Sequence, residues 1–176
     1  MSSPARHHTE HPDTQPRVLL AGRAVELEQL GDALLSRGLG VSVARSEEDL
    51  LQLLAAVELG SMLEPDAIIL EARLLGPPSL RALRSLRLER PRVALVFIAG
   101  PDDRPEGRAD RVSRVIAAHL GGSVASRPVL AEDVCAVAGE AAMERTRNTD
   151  DHDHGPPSGV RKNSGTPDRG KDHARS

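Results

Sequence analysis

The chain has 176 residues, 39% hydrophobic, with a formal net charge of -3. That size and balance predict one folded domain with little excess charge, and no run approaches the ~18 apolar residues that a membrane span needs. One cysteine, Cys135, excludes an intramolecular disulfide or a thiolate zinc cluster, so a reducing, cytoplasmic setting is expected. The start, MSSPARHHTEHPDTQPR, has no apolar run of the kind a signal peptide needs. One Phe and no Trp or Tyr leave almost no platform for stacking on single-stranded nucleic acid. The residues divide unevenly: both lysines (Lys162, Lys171) and six of the seven histidines lie in the first 16 or last 30 positions. A core over 17–146 flanked by disordered polar arms, 1–16 and 147–176, is therefore expected.

In chain order, Arg17 to Ala21 (RVLLA) is an apolar run of strand length ending at Gly22. Leu27, Leu30, Leu34 and Leu35 then recur at helical spacing over Val25 to Arg37, with Gly38 as a left-handed stop. Gly40 to Ala44 (GVSVA) predicts a second strand. Ser46 and Asp49 form a capping box before a second helix carrying Leu50, Leu51, Leu53, Leu54 and Val57. Pro65 introduces DAIIL, a continuous apolar run suited to a strand buried on both faces. Leu80, Leu83 and Leu86 or Leu88 follow at helical spacing between Pro77-Pro78 and Pro91. Val93 to Ala99 (VALVFIA) is the most hydrophobic strand. A loop rich in Pro, Asp and Gly leads to a fourth helix bearing Val112, Val115 and Ile116, ended by Gly121 and Gly122. Ser123 to Ser126 makes a short fifth strand. Val129 to Arg145 makes a last helix with Val134, Val137, Ala138 and Ala141 inward.

Five repeats of strand then helix with short connections predict an α/β fold: a doubly wound, flavodoxin-like (βα)5 parallel sheet in three α/β/α layers. Functional residues in such sheets sit beyond the carboxyl ends of the strands. Those places are Gly22-Arg23, Glu71-Ala72, Ile98 to Gly100 and Arg127-Pro128.

Three local stretches at those ends resemble one family. PDAIILE (Pro65 to Glu71), LLGPPSLRALRSLR (Leu74 to Arg87) and the Arg127-Pro128 pair resemble, in order and spacing, the receiver domains of bacterial response regulators. The resemblance covers nearly all of the core. In an active receiver, two acidic residues after the first strand hold Mg²⁺, and a third-strand aspartate takes the phosphoryl group. A Ser or Thr after the fourth strand and a lysine after the fifth contact that group. By resemblance the acidic pair falls on Gly22 and Arg23, the phosphoacceptor on Glu71, the hydroxyl on Ile98, the lysine on Arg127 with Pro128 beside it, and the switch aromatic near Val124. None of these positions keeps its usual residue.

The losses bear on chemistry. Mg²⁺ needs oxygen ligands, and glycine with arginine turns an attractive pocket into a partly repulsive one. The extra methylene of Glu71 displaces the carboxylate by about a bond length, and positioning is most of phosphoryl-transfer catalysis. No phosphotransfer, metal or cofactor is expected. Glu71 would instead place permanent negative charge roughly where a phosphoryl group lies, and an Arg23-Glu71-Arg127 cluster could replace metal and phosphate together. Two readings stand side by side: a locked domain, or a neutral residue tolerated after activity was lost.

The resemblance thus implies a degenerate, stand-alone pseudo-receiver, not an enzyme, that binds proteins in two-component signalling: a histidine kinase, a regulator or an effector. By family habit the fourth helix, fifth strand and fifth helix form the partner surface, including Arg111, Arg114 and His119. A homodimer stays open; a membrane and direct nucleic-acid binding are not expected. The alternative is a flavodoxin-like enzyme or nucleotide-binding module using the strand-end crevice, disfavoured because Ala21-Gly22-Arg23-Ala24 offers one glycine for a phosphate loop. A third possibility is phosphorelay through Asp66, at the other end of its strand. Arg81, Arg84, Arg87 and Arg90 drift about 60° per step around the third helix and read as a solvated face. His7, His8, His11 and the DDHDH run at Asp150 to His154 offer only weak, adventitious metal binding, and Cys135 reads as a small core residue.

Overall fold

The computed structural model describes residues 15–98 and 108–153, without the side chains of 108–110 and 148–153. Five strands, β1 (Arg17–Ala21), β2 (Gly40–Ala44), β3 (Ala67–Glu71), β4 (Ala94–Ile98) and β5 (Ser123–Ala125), alternate with five helices. These are α1 (Val25–Ser36), α2 (Glu47–Glu58), α3 (Pro77–Glu89), α4 (Arg108–Leu120) and α5 (Ala131–Asp153), with a 3₁₀ turn, Ala72–Leu74, after β3. Every strand pair is parallel, in the order β2-β1-β3-β4-β5. This is the flavodoxin-like doubly wound arrangement, and its order reverses between β1 and β3, where a crevice opens beyond the strand ends.

Side-chain alternation along the central strands builds two cores. Leu19, Ala21, Ile68, Leu70 and Phe97 face α2, α3 and α4, while Val18, Leu20, Ala67, Ile69, Val96 and Ile98 face α1 and α5. Fully burying each of the large aliphatic side chains stabilises the fold by about 1.5–3 kcal/mol. At the start of α2 the capping box forms as the sequence indicates: Ser46 Oγ accepts from the Asp49 amide, and Asp49 Oδ2 accepts from the Ser46 amide, each at 3.0 Å.

Three expectations are corrected. On α4 the buried residues are Ser113, Ala117 and Leu120, whereas Val112 and Val115 are exposed. The fifth helix spans Ala131–Asp153, past the end expected at Arg145, and Thr146 to Asp153 contain neither Gly nor Pro to stop it. The arginine stripe of α3 is not uniformly solvated. Arg87 donates to the Val93 carbonyl at 2.8 Å and the Gly121 carbonyl at 3.2 Å, and Arg90 pairs with Glu64, leaving Arg81 and Arg84 at the surface. The loop expected before α4, most of the two expected arms, and the metal-binding candidates His7, His8, His11 and His154 lie outside the described residues. No described helix is long and apolar enough to cross a membrane.

Candidate functional site

Glu71 ends β3, in register with Ile98 of β4, so its side chain emerges at the carboxyl edge of the sheet. It is nonetheless buried, with its side chain 3% exposed. Four bonds converge on its carboxylate. Arg73 donates through Nε to Oε2 at 2.9 Å and through Nη2 to Oε1 at 3.2 Å, a bidentate fork. Arg127 donates through Nη2 to Oε1, and the backbone amide of Arg23 donates to Oε2 at 3.2 Å. Burial pushes the Glu71 carboxyl upward. The Arg73 fork, the Arg23 amide and the Arg127 guanidinium together outweigh that penalty and hold it below its ordinary value. The group is a carboxylate at neutral pH.

Each donor has a local cause. The 3₁₀ turn folds the chain back immediately after β3, so that Arg73, two residues on, can chelate the carboxylate from the solvent side. Arg127 follows β5 in a cis peptide bond with Pro128 and reaches across the strand ends with its side chain only 13% exposed. Its second nitrogen pairs with Glu26 in the first turn of α1, so one guanidinium ties two carboxylates together. Arg23 donates only its amide. Its guanidinium turns away and gives Nε to the Arg45 carbonyl at 3.3 Å, which corrects the expected Arg23-Glu71-Arg127 cluster. The bend that aims the amide at Glu71 directs the side chain toward the β2 side.

Gly22 explains how a glutamate fits at this position. A Cβ on Gly22 would lie 2.8 Å from Glu71 Cγ, 2.9 Å from Glu71 Cδ and 2.2 Å from Leu27 Cδ1. The aliphatic part of Glu71 thus occupies the volume that a side chain at position 22 would fill. The two residues are coupled through space, although 49 positions apart in the chain.

Outside the clamp, a cleft of about 450 Å³ is lined by Arg23, Glu47, Glu71, Arg73 and Leu74. Glu47 fixes its far wall: Oε1 accepts from the Gly76 amide at 2.9 Å and the Ser79 hydroxyl at 2.8 Å, linking α2 to the start of α3. The Ser79 hydroxyl holds the Glu47 carboxyl below its ordinary value.

The structure therefore brings Gly22, the Arg23 backbone, Glu71, Ile98 and Arg127-Pro128 to one edge, and it adds Arg73 and Glu26, which sequence reasoning missed. The available signals were an arginine two residues beyond a strand-end carboxylate and an acidic residue in the first turn of α1. Arg111, Arg114 and His119 are exposed on α4 and take no part in the four bonds that converge on Glu71. Asp66 lies at the opposite end of β3. It accepts from the Arg17 amide at 2.8 Å and pairs with Arg145 at 3.2 Å. Burial raises its pKa against those attractions.

The fold and site together define a doubly wound α/β domain whose strand-end crevice is closed by an ionised glutamate in an arginine clamp. Among solved structures, similar ones are response regulator receiver domains. They include the signal receiver domain of an HD domain-containing protein from Pseudomonas fluorescens, 21% identical, covering 78% of this chain and 93% of that one at a TM-score of 0.56. A CheY-like receiver domain protein from Methanospirillum hungatei is 16% identical, covering 76% of this chain and 98% of that one, at 0.55. A response regulator from Burkholderia pseudomallei, solved with a phosphorylated aspartic acid, a calcium ion and citrate, is 18% identical, covering 77% and 73%, at 0.53. At these identities the likeness establishes the fold. No protein-family model and no curated protein matches the sequence.

Proposed function

We propose that this chain is a receiver-fold module that works without phosphorylation, as a non-enzymatic protein-interaction module of two-component signalling or regulation in the cytoplasm. The observation that carries the reading is the Glu71 clamp. A carboxylate with two guanidinium groups on it sits where the sequence resemblance puts the phosphoacceptor, and Arg127 sits where it puts the phosphate-pairing lysine. Phosphoryl transfer there needs a free nucleophilic oxygen and a metal bound beside it. Both Glu71 oxygens are taken up by cations, and Gly22 and Arg23 bring no carboxylate to hold Mg²⁺.

The charge that phosphorylation would add transiently is therefore supplied permanently by Glu71, and partners read one fixed state. They are a histidine kinase, a regulator or an effector protein, met on the surface that includes Arg111, Arg114 and His119.

The test is incubation of the full chain with acetyl phosphate and Mg²⁺, followed by intact mass measurement. The expected result is an unchanged mass. Addition of one phosphoryl group, on Glu71, Asp66 or any other residue, overturns the proposal.

A further inference from the structure

The α3–α4 surface and the α1–α5 surface differ in the sign of their charge, although α2, in the same layer as α3 and α4, is itself acidic with Glu47, Glu48, Asp49 and Glu58. On one side of the sheet, the described side chains of α3 and α4 include five arginines against one carboxylate. Arg81, Arg84, Arg111 and Arg114 are exposed there, interleaved with exposed Leu88, Val112 and Val115. On the other side, the described side chains of α1 and α5 include seven carboxylates against two arginines. Asp32, Glu132, Asp133, Glu140 and Glu144 are exposed, with Leu35 and Met143 among them, while Glu28 is paired with Arg45 at 2.9 Å. One of those two arginines, Arg145, is turned inward onto Asp66, which leaves the layer more acidic still at its surface.

We infer that the α3–α4 face docks on the α1–α5 face of a second copy of this chain. The two surfaces are complementary in charge, and each carries exposed apolar side chains that a contact would cover. Like faces repel, since α3–α4 against itself sets arginine against arginine, so a two-fold symmetric dimer through either face is disfavoured. The two faces lie on opposite sides of the sheet, so each contact leaves one basic and one acidic face open. The assembly is heterologous and grows by head-to-tail addition. Glu48 and Glu58 of α2 border the basic face in the same layer, and they serve as the control for an acidic surface outside the proposed contact.

The experiment is sedimentation velocity on the full chain across a range of salt. The expected result is self-association at about 20 mM salt whose apparent Kd rises at least about tenfold by about 500 mM, where the Debye length is only a few ångströms. Arg81→Ser with Arg111→Ser, and separately Glu132→Gln with Glu140→Gln, each give a monomer with an unchanged circular dichroism spectrum and melting temperature. Mixed in equal amounts, the two variants form a particle of two chains and nothing larger, because only one sound face remains on each. The Glu48→Gln, Glu58→Gln variant still associates like the parent. A parent chain that stays monomeric at low salt, an α5 variant that still self-associates, or a mixture that stays monomeric overturns the inference.

Discussion

Glu71→Ala removes the acceptor of four hydrogen bonds at once, two from Arg73 and one each from Arg127 and the Arg23 amide. Deleting one partner of a buried ion pair costs about 3–5 kcal/mol when the remaining charge is stranded. Here the penalty is smaller. Arg127 keeps Glu26, and Arg73, with its side chain 53% exposed, regains water. The expected loss is about 2–3 kcal/mol, which at about 1.5 kcal/mol per molar of urea lowers the unfolding midpoint by about 1.3–2 M. The assay is urea unfolding followed by far-ultraviolet circular dichroism, since the chain has no Trp or Tyr to report by fluorescence. Acidity supplies a second reading. The folded carboxyl lies below its ordinary 4.5, so its contribution is complete above that value and is lost as the pH falls through the depressed folded value. Parent and variant midpoints therefore converge on acidification. A midpoint shift below about 0.3 M at neutral pH, or a gap that persists unchanged into strong acid, refutes the clamp as a source of stability.

The coupling of positions 22 and 71 predicts that Gly22→Ala costs about 1–3 kcal/mol through overpacking, and that Glu71→Asp in the same chain recovers part of that loss; additive effects in the double-mutant cycle contradict it. Gly122→Ala puts a Cβ 2.8 Å from the Leu95 carbonyl oxygen, backbone that cannot step aside, so a loss of about 2 kcal/mol or more is expected in the same urea assay. Asp66 has the opposite sign to Glu71. Its raised folded pKa means that its stabilising contribution is present below the ordinary 3.8 and lost as the pH rises through the folded value. Asp66→Asn should gain on the parent as the pH rises above the ordinary 3.8, and a midpoint difference that is flat or runs the other way rules this out.

Much of the fold was legible in the chain because its signals are local. Leu19, Leu20, Ile68, Ile69 and Phe97 lie in apolar runs too short for helices, and they form the buried central strands. The Ser46 and Asp49 pair three residues apart marks a helix start that the structure confirms atom by atom. The face of α4 was not legible: Val112, Val115 and Ile116 match helical spacing, yet Ser113, Ala117 and Leu120 are the residues buried. Hydrophobic spacing gives a helical period, and packing against the rest of the fold decides which face is buried.

The sequence by itself determined the alternating order of strands and helices, the two-sided burial of β3, and the edge at which Gly22, Glu71 and Arg127 meet, because each follows from the short-range pattern and from the parallel winding it forces. Only the tertiary structure decided which cations hold Glu71. Arg73 reaches it through a 3₁₀ turn, Arg23 presents an amide in place of its guanidinium, and Arg127 shares itself with Glu26. A residue's type and position in the chain do not set the direction of a flexible side chain. That direction follows from the backbone bend beneath it and from which carboxylate or carbonyl the fold brings within reach.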